Sequence, residues 1–218
     1  MKRIIIIIAI ISFIIVGFSL TPIELTFKTE NGSVKTLYFL EYFELFDDLE
    51  RDEPVHSAEL VKYVDGDTIN VRMFSFFIEK IRMLGIDTPE TVHPSKPVEY
   101  YGPQASEFVK KVIPFEEKIL KLSYDWDKFD YYERLLAYIW IPVDFMGQKE
   151  YVLFNLLSIL NGYGYAYLKY DFKDEYMEIF AEAQDYSKKY KLGLWGERPI
   201  YEVLEEILPE KIIRSAGI

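Results

Sequence analysis

Residues 81–90 read Ile81-Arg82-Met83-Leu84-Gly85-Ile86-Asp87-Thr88-Pro89-Glu90. The apolar first half is a strand carrying Arg82 and stopping at Gly85. The second half is a turn holding Asp87, Thr88 and Glu90, stiffened by Pro89, which fixes its own φ and restricts Thr88. Two acids and one cation therefore gather at a single strand end.

Upstream, Asp65-Gly66-Asp67-Thr68 is a tight turn between strand-like runs at 60–64 and 68–74. A third run, 77–85, forms a hairpin with the second about Ser75. Downstream, Gly102-Pro103 opens a helix, because proline at the first turn gives up an N–H that has no helical partner. Its apolar face is Phe108, Val109, Val112 and Ile113, and Pro114 ends it. Runs 118–124 and 134–141 are two more strands, separated by Asp125-Trp126-Asp127-Lys128-Phe129-Asp130, a loop rich in acids and aromatics. The apolar stretch 151–160 reads as a helix closed by Asn161-Gly162. Residues 174–190 read as a third, amphipathic through Met177, Phe180, Ala181, Ala183 and Gln184. It stops before Gly193, with Leu194 and Trp195 docked back on the core. Five strands with a helix after the third, then two more helices, give an α+β, β-rich fold: a five-stranded OB-type barrel with three helices.

The flanks differ in texture. Lys2 and Arg3 precede an uncharged apolar run at 4–20, read as a membrane anchor or signal peptide (residues 1–21) that places the rest outside the cytoplasm. Residues 22–56 read as a small hairpin annex, with strands at 23–28 and 34–43 about Asn31-Gly32, followed by an acidic linker. The barrel domain takes residues 57–198, and 199–218 a helical extension.

With 218 residues, half of them hydrophobic, the chain can bury one full core. Its formal net charge is −11, the opposite of a non-specific polyanion binder, so a nucleic-acid partner requires local cations or a metal. The absence of cysteine excludes disulfides, thiolate metal sites and thiol nucleophiles. Only His56 and His93 supply imidazole, too few for a histidine-built zinc centre, so any metal is held by oxygen. Neither a Walker-type loop nor a G-x-S-x-G elbow is present, and Gly162-Tyr163-Gly164 lacks the third glycine of a dinucleotide fingerprint.

Those exclusions leave the polar strand ends. Asp67 and Asp87 are the natural ligands for one hard cation. With a backbone carbonyl such as that of Thr88, and with water and substrate completing the shell, the set suits Ca2+ better than magnesium. Glu90 is placed to activate or orient a water. Arg82 and Arg134 are charge clamps, since a planar guanidinium matches two phosphate oxygens and keeps its charge. Taken singly, each motif is an ordinary turn or ion pair; their joint occurrence carries the reading.

Val64-Asp65-Gly66-Asp67-Thr68, the stretch 81–91, Tyr101-Gly102-Pro103-Gln104-Ala105-Ser106, Glu133-Arg134-Leu135-Leu136-Ala137-Tyr138-Ile139 and Leu192-Gly193-Leu194-Trp195 together resemble the staphylococcal nuclease (thermonuclease) family. The likeness is colinear over about residues 58–198. It implies a calcium-dependent endonuclease acting on DNA and RNA and leaving 3′-phosphate ends, with single strands the preferred partner. It also implies metal ligation by Asp67, Asp87 and the Thr88 carbonyl, with Asp65 in support. Water activation falls to Glu90 and transition-state stabilisation to Arg82 and Arg134. Tyr132 stands where the family has a phosphate-contacting tyrosine, and Tyr167 and Tyr170 are the candidates for flanking the base. One departure is the loop Tyr131-Tyr132-Glu133-Arg134, where the family commonly reads Lys-Tyr-Gly-Arg. It bears on substrate affinity more than on chemistry. The same fold without turnover, as a nucleic-acid or protein binding module, is the alternative.

Overall fold

The computed structural model describes residues 26–29, 32–35, 56–73, 77–92, 95, 97–113, 119–145 and 148–196. The apolar run at 4–20, the acidic linker, the turn at Ser75, His93, Pro114 and the C-terminal extension lie outside the described residues. Among the described residues no helix is long and apolar enough to cross a membrane.

In chain order the elements begin with a short hairpin, β1 (Thr26–Thr29) and β2 (Gly32–Lys35). The barrel strands β3 (His56–Tyr63), β4 (Thr68–Arg72) and β5 (Ile78–Met83) follow, with a two-residue β6 (Ile86–Asp87). After helix α1 (Gly102–Val112) come β7 (Ile119–Ser123), β8 (Leu135–Phe145) and β9 (Gln148–Leu153). Helix α2 (Phe154–Leu160), β10 (Tyr165–Ala166), helix α3 (Asp174–Lys189) and a 3-10 turn at Gly193–Trp195 complete the order.

Strands β3, β4, β5, β8 and β7 close into a barrel, antiparallel except where β5 runs parallel to β8. Period-two alternation sends Ala58, Leu60, Ile69, Val71, Ile81, Met83, Leu120 and Leu122 inward. Strand β8 is different: Ala137 to Ile141 are all buried, so both of its faces are covered. Its two large polar-tipped side chains find partners there, Trp140 Nε1 donating to Ser123 Oγ at 2.7 Å and the Tyr138 hydroxyl to Asp125 Oδ2 at 2.6 Å. The hairpin joins this sheet through β1, whose Lys28 pairs with Asp144.

Two expectations need correction. Residues 151–153 are not helical: they end β9, with Leu153 paired to Trp140 and Val152 to Ile141, and the helix starts only at Phe154. A continuous apolar run has no period by which to tell a buried strand from a buried helix. The inward face of α3 is Tyr176, Phe180, Ala183 and Ser187, with Met177 and Ala181 only flanking it.

Two residues lock the barrel to its helices. Asn155, fully buried in α2, accepts the Ile139 N–H at 2.9 Å and donates to the Leu84 carbonyl at 2.8 Å, tying the helix to β8 and to the turn after β5. Gly85 takes φ +68, and a Cβ there would run into the ring of Phe180. The turn after β5 can therefore lie directly against α3.

Candidate active site

Register decides where the polar residues meet. Thr68 at the start of β4 pairs with Arg82, and Arg82 pairs with Leu136 near the start of β8. The turn before β4, the turn after β5 and the loop before β8 are thereby brought to one rim of the barrel, where they wall a cavity of about 520 Å³.

Asp67 ties the first two turns together. Its carboxylate, only 6% exposed as a residue, accepts the Thr88 N–H at 2.8 Å and the Thr88 hydroxyl at 3.1 Å through Oδ2, and the Thr68 hydroxyl at 2.9 Å through Oδ1. Gly66 permits this approach, since a Cβ at that position would lie 2.8 Å from Thr88 Oγ1. Arg82 fastens the same pair of turns. Its Nη1 donates to the Met83 and Ile86 carbonyls at 2.8 and 2.6 Å, while Nη2 lies 2.9 Å from Asp87 Oδ1 and 3.4 Å from Asp67 Oδ2. One nitrogen thus bridges both carboxylates, and removing such a buried partner typically costs about 3–5 kcal/mol.

The acids here repel one another. Burial, and then the charge of Asp67, push the Asp65 carboxyl up to about 6. Asp87 is also raised, by burial first, with Arg82 pulling against that and Asp67 adding to it. Among the described residues the cavity wall carries eight carboxylates and two guanidinium groups. The donors near Asp67 and Asp87 are all oxygen. Among the described residues no group of three or more His, Cys, Asp or Glu side chains is gathered for a metal. Two carboxylates bridged by Arg82 Nη2, and joined by no third metal-binding side chain among the described residues, fit a hard ion in an open, partly hydrated site and do not fit a closed protein cage.

Arg134 is held separately. Asp130 takes its Nε and Nη2 at 2.7 Å each through Oδ2, and accepts the backbone N–H groups of Tyr132 and Arg134 at 2.9 Å through Oδ1. The Tyr132 ring lies 5.6 Å from the Arg134 guanidinium carbon. Glu90, in the turn after β5, accepts the Val92 N–H at 2.8 Å through Oε1, and its own N–H donates to Glu99 Oε2 at 3.0 Å. Tyr167, whose N–H donates to the Gly85 carbonyl at 2.8 Å, and Tyr170 stand with ring centres 5.7 Å apart. Asp65, Asp67, Arg82, Asp87, Thr88, Glu90, Tyr132, Arg134, Tyr167 and Tyr170 all line the one cavity.

Sequence reasoning missed the residues that hold this loop in place. Asp130, four before Arg134, carried the signal of an i,i+4 pair. Asp125 did not, because its partners Tyr138 and Lys173 lie far along the chain. Glu133 takes φ +59, the left-handed conformation of a glycine, at the position where the resemblance puts one.

Comparison with known proteins shows the family. The family described as Staphylococcal nuclease homologue matches residues 80–197. A thermonuclease of Staphylococcus hyicus is 30% identical over 184 residues, 84% of this chain and 95% of that protein. A thermonuclease of Staphylococcus intermedius is 35% identical over 134 residues, 62% of this chain and 73% of its own. Endonuclease YncB of Bacillus subtilis is 33% identical over 142 residues, 65% of this chain and 62% of its own.

Proposed function

Since the chain belongs to the staphylococcal nuclease homologue family, we propose that it hydrolyses phosphodiester bonds of DNA and RNA. In this reading it is a calcium-dependent endonuclease leaving 3′-phosphate ends. It acts outside the cytoplasm, secreted or held by the apolar run at 4–20. The single observation that most supports the reading is the meeting of Asp67, Asp87 and Arg82 at one nitrogen, across a cavity from Arg134.

Asp67, Asp87 and the Thr88 carbonyl would hold the calcium, which would supply positive charge for a phosphate in so acidic a cavity. Asp65 steadies that turn by accepting the Asp67 N–H at 3.2 Å. Arg134 has five N–H donors, of which Asp130 uses the Nε and Nη2 side, so donors are left for phosphate oxygens. Arg82, clamped beneath the two carboxylates, adds fixed charge where the extra negative charge develops. Glu90 takes a proton from the attacking water as the oxygen–phosphorus bond forms. The bond to the 5′-oxygen breaks, that oxygen takes a proton from solvent water and leaves as a hydroxyl, and Glu90 returns its proton to solvent. Tyr132 meets the phosphate, and Tyr167 and Tyr170 flank the base.

The full-length protein should degrade labelled single-stranded DNA and RNA with calcium and stop when the calcium is chelated. Glu90→Gln should lower kcat about 10²–10⁴-fold with the fold unchanged. Cleavage that persists under chelator overturns the metal role. Calcium-supported binding with no cleavage by the parent turns the reading into the binding module.

A further inference from the structure

The loop between β7 and β8 has a feature that hydrolysis does not require. Trp126, Phe129 and Tyr131 line the cavity and are 60%, 58% and 94% exposed, an unusual state for three large aromatic rings so close together. They are not on a floppy segment. Asp125 accepts the Trp126 N–H at 2.9 Å and, through its other oxygen, the Tyr138 hydroxyl. Leu136 N–H donates to the Lys128 carbonyl at 2.8 Å, Phe129 bridges to Leu135, and Asp130 pins Tyr132 and Arg134. A backbone fixed at both ends keeps the rings in water instead of letting them fold onto the barrel.

The surrounding charge narrows what these rings can meet. Eight carboxylates and two guanidinium groups wall the cavity among the described residues, and both arginines are already paired with acids. Phosphate attraction, the usual source of affinity for a nucleic acid, is weak here. Base stacking on an aromatic face needs no charge, contributes per base a factor of roughly 5–150 by alanine substitution, and requires the base to be unpaired.

We propose that Trp126, Phe129 and Tyr131 form a base-stacking platform continuous with the cavity. It captures unpaired bases of a single-stranded nucleic acid beside the scissile phosphate and supplies through stacking the affinity that cations do not. The proposal rests on the nuclease reading for the identity of its ligand. The platform is a substrate-selecting surface with no part in the bond-breaking step, and a pre-set loop loses little freedom on binding.

The test is fluorescence polarisation of a labelled 20-base oligonucleotide against the full-length protein in calcium, over a salt series, with the cleavage-deficient Glu90→Gln background holding the substrate intact. Because the single strand is read by stacking, it should bind at least about 10-fold more tightly than a duplex of equal length. The slope of log K against log salt should be no steeper than about −2, the value for about three neutralised phosphates on a single strand. The combined Trp126→Ala, Phe129→Ala, Tyr131→Ala variant should lose about 30-fold or more in affinity with the salt slope unchanged. Trp126→Phe with Tyr131→Phe, which keeps the ring faces, should lose less than about 3-fold. A combined alanine loss under about 2-fold, a steeper slope, or equal binding of duplex overturns the platform even if the parent cleaves. Stacking-dependent binding by a parent that never cleaves leaves the platform standing and removes the nuclease reading instead.

Discussion

Two regions share the cavity and are built on opposite terms. The paired turns at 65–68 and 84–90 are cross-tied: buried Asp67 takes the Thr68 hydroxyl and the Thr88 N–H and hydroxyl, and Arg82 takes the Met83 and Ile86 carbonyls and both Asp67 and Asp87. The loop at 124–134 is pinned by the side chains of Asp125 and Asp130 and leaves Trp126, Phe129, Tyr131 and Tyr132 outward. The difference teaches that position and recognition are separable here. Groups that must stay within tenths of an ångström sit where nothing can move. Groups that must fit varied bases sit on a scaffolded edge.

Exchanging the two arginines should break that comparison most sharply. Arg134→Ala should reduce turnover about 10²–10³-fold and lower Tm less than Arg82→Ala does, because among the described residues Arg134 pairs with one carboxylate, Asp130, which keeps two backbone N–H partners when the guanidinium is gone. Arg82→Ala should reduce turnover at least as far and also destabilise the protein by about 3–5 kcal/mol, since it strands Asp67 and Asp87 beside each other. Turnover and thermal denaturation measured on both variants decide it; equal Tm losses would erase the distinction between the regions.

Gly85→Ala probes the cross-tied region through packing alone. With φ +68 and Phe180 in the way of any Cβ, it should lower stability by roughly 2–4 kcal/mol in urea denaturation and lower turnover through the displaced turn. A neutral result would mean that the turn and α3 part easily.

The smallest expected effect belongs to the exposed region. Glu133→Gly removes a negative charge beside Tyr132 and Arg134 and relieves a left-handed glutamate. That relief of about 1 kcal/mol is largely offset by the flexibility glycine gains when unfolded. Stability should hold within about 1 kcal/mol while the KM for single strands falls a few-fold, a change that raised salt should shrink. An unchanged KM would show that Glu133 stands clear of the substrate.

What could be read from sequence follows the same division. Alternation at Ile69 and Val71, Pro103 at a helix start, and the short-range grammar of Asp65-Gly66-Asp67 and Asp87-Thr88-Pro89-Glu90 are local signals, and they located the barrel and the acids. The strand at 151–153 was hidden because Tyr151-Val152-Leu153 continues without a break into the equally apolar Phe154. Asn155 was hidden because its carbonyl acceptor, Leu84, is 71 residues away. The three exposed rings were visible as letters, but only coordinates distinguish an aromatic in water from one in a core.

The parallel pairing of β5 with β8 has a consequence in time. Arg82 and Arg134 are fifty-odd positions apart along the chain and reach one cavity only when Ile81 lines up with Leu135, a contact that local structure cannot anticipate. A chain that stops short of β8 holds Asp67, Asp87 and Arg82 but not the second guanidinium. The cavity's pair of guanidinium groups is therefore complete only once β8 has taken its parallel place beside β5.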